Sequence, residues 1–527
     1  MDPQPDYPII DPTTFDLVVV GTSVSEAILS AAASAIGKTV LHLDPNPFYG
    51  SHTASLSLSE LSSFLQSPPA SGVVKLEAES SLYSSLKLEH YPLLSDFEIQ
   101  QFDSSAELDH LSLKFLLDVC GPRVILSASE EIELLIKSGA SNYVEFKSVE
   151  ANFIVENGET LKLCRVPDSR ASIFKDKGLS LTEKNQLMRF FKLVQTHLAA
   201  SPSEESETQK LQISEEDLES PFAELLSKMK LPSNIQSMIL YAIAMADYDQ
   251  EDTSISDHLL KTKDGISRMA LYQASVGRFT NTFGAMLYPI YGYGEIPQSF
   301  CRSAAVKGCV YVLRMPVKSL LVDNNDGCYK GVKLASGQEI FSDRLILNPS
   351  YKIPPFLNQE NQSKNGGRRV ARGIYIINGS LAEDASNFVF VFPPRSLFKE
   401  QLATVRGLQV SSNVAVCPTG YYVLYLSTHG SETEAKNLLN AAIKAILSVP
   451  QNPQSGKPSL LWSSIYLQEL APTVFGSACS TEMPDGSFTH CHVLQNTLSL
   501  FHQIYAGEVL FPKTQENHSI DEEVEDS

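Results

Sequence analysis

The chain has 527 residues, 43% of them hydrophobic, and 41 Lys+Arg against 61 Asp+Glu give a net charge of −20. That apolar content excludes a disordered chain, and the length allows two to four domains at about 150 residues each. The acidity excludes nucleic-acid binding, which needs a basic face to neutralise phosphates, and suits basic protein partners instead.

Residues 1–13, within MDPQPDYPIIDPTT, are polar and Pro-rich and read as a loose leader, not a signal peptide. FDLVVV (15–20) reads as a buried parallel strand. A turn over Gly21–Glu26 follows, then a small-residue helix from Ala27 to Ile36 and a second strand, TVLHLD, ending at Asp44. This is the βαβ frame of a dinucleotide fingerprint, with the acidic residue about 20 positions on. G-x-G-x-x-G needs glycine at 21, 23 and 26, and only Gly21 is present. Ser23 adds a Cβ where backbone must approach a pyrophosphate, and Glu26 sets a carboxylate at the helix N-terminus where phosphate would sit. The frame is expected to survive without FAD or NAD.

A helix is expected around Ser59–Leu65, and the Ser-rich 67–105 reads as irregular. FLLDVCGPRVIL (115–126) is strand-like and broken at Gly121-Pro122. EEIELLIKSG (130–139) is a short amphipathic helix with Gly139 as its C-cap. Residues 143–167 alternate as strands around an Asn157-Gly158 turn. LTEKNQLMRFFKLVQTHL (181–198) repeats apolar residues at 187, 190, 191 and 194, with Ser180 or Thr182 as cap. The acid-rich 201–220 reads as a solvated loop feeding a helix, and 232–247 as a strongly apolar helix. Strand signals return near 286 and alternate with helices to 510.

These elements predict an α/β architecture: a large FAD/NAD-binding-like domain over 14–125 and 265–510, with a smaller, mainly helical domain, 126–264, inserted into it. The acidic stretch 511–527 reads as a disordered tail. No run of 18 apolar residues predicts a transmembrane helix, so a soluble, cytosolic protein is expected.

Eight cysteines without a C-x-x-C pair read as small buried residues in a reducing compartment. Cys491-His492, taken as neighbours on a strand, would point to opposite faces, so no metal is expected. G-x-S-x-G, H-E-x-x-H and G-x-x-x-x-G-K-S/T are all absent, which favours binding over catalysis. In YPIYGYGEIPQSFCRSAAVKGCVYVLRMPV (288–317), Gly292 and Gly294 permit a tight turn, Pro297 can start a helix and Gly308 can end it. Glu295 just before that helix and Arg302 within it would display opposite charges beside tyrosines, as either a partner surface or an ordinary ion pair.

YPIYGYGEIPQSFCR (288–302) resembles the Y-P-L-Y-G-x-G-E-L-P-Q-x-F-x-R block of the Rab GDP-dissociation inhibitor and Rab escort protein superfamily. GTSVSEAILSAAASAIGKTVLHLDPNPFYG (21–50) resembles its G-T-G-L-x-E-x-I-L-S…G-K-x-V-L-H-x-D-x-x-x-Y-Y-G block. The resemblance is dense over 15–66 and 232–350 and weaker from 350 to 515. CRVPDSRASIFKDKGLSLTEKNQLMRFFK (164–192) is similar to the escort pattern V-P-x-S-R-x-x-V/I-F…L-x-M/L-x-E-K-R-x-L-M-K-F, which dissociation inhibitors lack.

The resemblance implies a non-catalytic accessory component that binds GDP-bound Rab GTPases and presents them to the α/β heterodimer of Rab geranylgeranyltransferase. It would then shield the geranylgeranyl lipid and deliver the Rab in a transient membrane contact. It implies a Rab-binding face at Tyr49, Glu295, Arg302, Val310 and Val312, with Arg278 on a loop for the Rab C-terminal segment. That loop, GRFTNTFGAMLYPIYG, runs about two residues longer than the family's. Transferase contacts fall on Phe174 and on Asn185, where the family carries arginine. The apolar runs 187–194 and 238–245 either frame the lipid groove or form ordinary core. A Rab GDP-dissociation inhibitor and, more remotely, a flavin oxidoreductase are the other readings.

Overall fold

A computed structural model describes residues 7–66, 76–78, 82–102, 108–157, 161–167, 173, 180–199, 213–252, 258–353, 357, 369–449 and 457–512. The β-branched run at the start forms β1 (Thr14–Val20), buried on both faces from Val18 to Val20. Ser23 takes an extended N-cap conformation (φ −66°, ψ 175°), so α1 (Val24–Ala35) begins three residues earlier than its alanines suggest. β2 (Val40–Asp44) returns parallel to β1. Downstream, α2 (Glu130–Ser138), α3 (Leu181–Ala199), α4 (Glu295–Val306), β3 (Val310–Leu313), β4 (Glu339–Leu347) and α5 (Cys491–Ile504) shape the sites.

A nine-stranded sheet runs β3-β2-β1-β4 and continues through Tyr329–Leu334, Val317–Asp323, Tyr83–Lys87 and Leu76–Ala78, with Ala478–Ser480 also on β4. Its first four strands are parallel, as βαβ crossovers require. On one face α1 packs on α4 over Ile28, Ile296 and Phe300, and α5 adds Leu500 and Phe501.

The second sheet has eight strands: Leu161–Arg165, Ala151–Asn157, Phe388–Phe392, Val405–Ser411, Tyr422–His429, Arg369–Ile377, Leu460–Glu469 and Leu94–Gln101. Helix Glu432–Leu447 covers one face. The helical segments, α3 included, share a core with the other through Ile374, Val389, Leu408 and Val423.

Several expectations need correction. Residues 83–101 are not irregular: Tyr83–Lys87 and Leu94–Gln101 are strands whose partners, Val317–Asp323 and Leu460–Glu469, lie far along the chain. Within the mainly helical 126–264 block, the strands expected at 143–167 join the second sheet, where Ala151–Asn157 pairs parallel with Phe388–Phe392. Cys491 and His492 open α5 and do not lie on a strand. The turn tip 158–160, most of the acidic 201–220 stretch and the tail from 513 lie outside the described residues.

Other readings recur in the structure. Gly139 ends α2 at φ 75°. Ser180 and Glu183 cap α3 reciprocally, Glu183 N–H to Ser180 Oγ (3.3 Å) and Ser180 N–H to Glu183 Oε2 (2.7 Å). Leu187, Phe190 and Val194 of α3 face inward. The helix expected over 232–247 is instead a short α-helix, Ser233–Ser237, continued by a π-helical turn, Met238–Ile243, which is buried throughout and ends the element. Among the described residues no helix is long and apolar enough to cross a membrane, and no group of three or more His, Cys, Asp or Glu could hold a metal ion.

Candidate functional site: a filled nucleotide cleft and an outer face

The carboxyl ends of β1 and β2 are where a dinucleotide fold holds its ligand. Here that region is occupied by the chain itself. Gly21 sits at φ 100°, and a Cβ there would lie 2.6 Å from Cβ of Asn348, so this glycine accommodates a neighbouring side chain. Asp44 would hold a ribose, yet its Oδ2 accepts from Thr22 Oγ1 (2.6 Å) and Ser51 Oγ (2.7 Å). Its Oδ1 accepts from the backbone N–H (2.8 Å) and Nδ2 (2.9 Å) of Asn46. Glu26 has 0% exposure, and its Oε1 accepts from Thr481 Oγ1. Burial pushes its pKa up to about 7.

That value revises the expected role of Glu26. It does not sit at an open helix end; it is turned into the core, where burial disfavours its charged form. Gly21 is packed against Asn348 and both oxygens of Asp44 are engaged by Thr22, Ser51 and Asn46, so the residues present do not fit FAD or NAD.

The outer face is built on α4 and the edge strand β3. α4 starts at Glu295 itself, with Gly294 as N-cap, and not after it. Arg302 lies seven residues on, two turns along the same helix face. Glu295 is half-buried, which raises its pKa. Arg302 is exposed, its guanidinium 4.9 Å from the Tyr143 ring centre. Tyr49 is half-buried, edge-on to Tyr311 of β3 at 6.0 Å. Tyr311 and Tyr49 pack toward α1 and α4, while Val310 and Val312 pack on the opposite side of the strand. The structure thus brings Tyr49 to β3 through Tyr311, with the two valines at the same sheet edge but on its other face.

Other expected residues fall elsewhere. Arg278 is tethered, donating from Nη1 to the Ser127 carbonyl (2.7 Å) and from Nη2 to Glu133 of α2. Asn185 is exposed on α3. Phe174 lies outside the described residues. The motif tyrosines are not displayed together. Tyr288 and Tyr293 are buried, the first donating to Asp118 Oδ2 (2.6 Å), the second bonded to Glu131 and His490, and only Tyr291 is exposed, at 55%. Sequence reasoning missed Tyr143, Tyr311, Asp118 and Ser55. Only spatial convergence identifies them, because none stands in a pattern.

This geometry defines a dinucleotide-binding-like α/β protein whose cofactor cleft is closed by its own side chains. A family model described as GDP dissociation inhibitor matches residues 11–73 and 84–452, and the chain belongs to that family. It is 49% identical to Rab escort protein 1 of Arabidopsis thaliana, over 96% of this chain and 95% of that one. It is 31% identical to Rab proteins geranylgeranyltransferase component A of Drosophila melanogaster, over 81% of this chain and 76% of that one. Among solved structures, Rab GDI of Plasmodium falciparum aligns with a TM-score of 0.68 at 19% identity, covering 94% of this chain and 99% of that one. An oxidoreductase from Methanosarcina mazei aligns at 0.50 and 13%, covering 92% and 99%. These two alignments describe the fold.

Proposed function

We propose that this chain is a Rab escort protein, the accessory component that presents newly made, GDP-bound Rab GTPases to Rab geranylgeranyltransferase. The observation that carries the proposal is near full-length identity, 49%, to a protein of that name. The Rab globular domain meets the sheet edge at β3, with Tyr49, Glu295 and Arg302 on one side and Val310 and Val312 on the other. Arg278, held against α2, sits on the loop that guides the Rab C-terminal segment. Bond-making belongs to the transferase heterodimer; the escort binds, orients and shields. A twenty-carbon lipid kept from water is worth several kcal/mol, at about 0.8 kcal/mol per CH₂. Leu187, Phe190 and Val194 of the first run, 187–194, and Met238 to Ala244 of the second, 238–245, are buried in a common core, so shielding a lipid between them requires these segments to part. The protein then works from the cytosol with transient membrane contact.

Prenyl transfer to a GDP-bound Rab by purified transferase heterodimer, with and without this chain, tests the proposal. Transfer should fall to background when the chain is omitted. Equal transfer in its absence would sink the reading. Extraction of already prenylated Rabs without support of transfer would make it a dissociation inhibitor instead.

The transferase contact makes a second expectation. Asn185 stands exposed where the family pattern has arginine, and asparagine lacks the charged two-pronged donor that grips a carboxylate. Asn185→Arg should tighten transferase binding about tenfold in a calorimetric titration. Unchanged affinity would show that the position carries no weight in this chain.

A further inference from the structure

Five residues, Ile290 to Gly294, separate the strand Met286–Pro289 from Glu295, and the last three, Gly292 to Gly294, form the turn into α4. They are held in a clamp that involves neither Glu295 nor Arg302. Asp118, 1% exposed, faces Ser55 across a two-stranded antiparallel pair. Its Oδ1 accepts from Ser55 Oγ (2.6 Å) and from the backbone N–H of Tyr293 (2.9 Å). Ser55 Oγ in turn accepts from the N–H of Gly294 (2.7 Å). The other carboxylate oxygen, Oδ2, accepts from the Tyr288 hydroxyl (2.6 Å), which belongs to the preceding strand. The fit is close. A Cβ on Gly292 would fall 2.5 Å from Ser55 Oγ and 2.8 Å from Asp118 Oδ1, and one on Gly294 would fall 2.5 Å from the Ser55 nitrogen. Gly292 also holds φ 98°, a conformation other residues avoid.

The clamp fixes where α4 begins. Glu295 N–H donates to the Gly292 carbonyl (3.2 Å), and Glu295 is the first residue of the helix. A shift of the turn by one residue would rotate the helix face by about 100° and carry both Glu295 and Arg302 off the outer face.

We propose that Asp118 and Ser55 are positioning residues for Rab recognition: through Asp118 Oδ1 and Ser55 Oγ they lock the 292–294 turn and thereby set Glu295 and Arg302 on one face. The inference rests on the reading that those two residues meet a Rab. It assigns different work to the two oxygens of one carboxylate, since Oδ1 holds the recognition turn and Oδ2 only braces the strand.

The test uses the full chain and three variants, Ser55→Ala, Asp118→Asn and Tyr288→Phe. Affinity for a GDP-loaded Rab, affinity for the transferase heterodimer and thermal midpoint are measured for each. Ser55→Ala and Asp118→Asn should weaken Rab binding about tenfold, the effect of losing a hydrogen bond to a charged group, and leave transferase affinity unchanged. Tyr288→Phe should lower the midpoint and leave Rab affinity as it was. In a Glu295→Ala background, Ser55→Ala should have little further effect on Rab affinity. If Asp118→Asn does not fold, Ser55→Ala and its cycle with Glu295→Ala carry the test. Wild-type affinity in Ser55→Ala, losses that follow the midpoint alike in all three variants, or full additivity with Glu295→Ala would overturn the proposal. A wild-type chain that binds no Rab would instead overturn the underlying functional reading.

Discussion

Arg372→Ala should cost about 3–5 kcal/mol of stability, the range for removing one partner from a buried charged network and leaving a cavity. Arg372 lies within Arg369–Ile377 at zero exposure. Its Nε donates to Gln468 Oε1 (2.6 Å), Nη1 to the carbonyls of Cys120 (2.8 Å) and Gly121 (3.0 Å), and Nη2 to the carbonyl of Asp485 (2.6 Å). One side chain therefore satisfies four buried acceptors from three separate segments. Arg123, also unexposed, closes the same loop by binding the carbonyls of Ser487 (2.5 Å) and Thr489 (3.1 Å) and pairing with Asp485 (3.2 Å).

Alanine at 372 removes the guanidinium donor from the Cys120 and Gly121 carbonyls and Gln468 Oε1, while the Asp485 carbonyl keeps Arg123 Nη2, and each buried orphan costs about 1–3 kcal/mol before relaxation or water entry. Relief of a desolvated charge offsets part of this. Arg372→Met separates the contributions, since it fills most of the volume and donates nothing. Near-equal shifts in denaturant midpoint for Ala and Met would place the cost in the orphaned carbonyls, and an Ala loss below about 1 kcal/mol would show that they find other donors. The cost reaches the turn before α4 as well, because Cys120 and Gly121 lie two and three residues after Asp118.

What the sequence disclosed and what it hid divide along one physical line. Local, periodic features were legible: the apolar strand at 15–20, Ser180 as one of two candidate caps of α3, the inward stripe of α3, the glycine that ends α2. Features made by distant pairing were not legible. Tyr83–Lys87 lies in a Ser-rich stretch of weak pattern and becomes a strand because Val317–Asp323 is there to receive it. The hairpin at 151–165 read as strands, but nothing nearby announces its partner, Phe388–Phe392.

The outer face shows the same division. Tyr49, Glu295 and Arg302 stand out because they fall in long family blocks. Tyr143, which supports Arg302, and Tyr311, which supports Tyr49, are unremarkable in sequence and acquire their roles by stacking. The tyrosines of 288–293 misled in the other direction. Aromatics beside a charged pair resemble a recognition surface, yet Tyr288 and Tyr293 are buried because their hydroxyls find Asp118 and Glu131 inside.

Glu26→Gln should leave stability unchanged near pH 4 and raise it by about 3 kcal/mol at pH 8, because Glu26 is the side chain that most directly replaces a cofactor phosphate. Its carboxyl has no exposure, and burial raises its pKa to about 7, against the opposing effect of the Thr481 hydroxyl. In the unfolded chain it titrates at the ordinary 4.5. Below pH 4.5 both states carry the proton, and the glutamic acid contributes its full share of stability. As pH rises from 4.5 to about 7 the unfolded chain releases the proton while the folded one retains it, so that share is lost progressively. Above 7 the folded protein must hold a buried carboxylate, and the loss levels off.

Glutamine keeps the volume and an acceptor for Thr481 without this pH dependence. Denaturant midpoints of the two proteins should therefore coincide near pH 4, diverge through 4.5–7 and run parallel above. Curves that stay parallel from pH 4 to 8 would mean that Glu26 is ionised throughout and balanced by a charge or dipole. The difference decides how the ancestral cleft was closed. If the glutamine variant gains stability at high pH, the cleft is sealed by packing and hydrogen bonds around a neutral group, and the scaffold carries an electrostatic cost at neutral pH that the surrounding core, from Ile28 to Phe501, is large enough to bear.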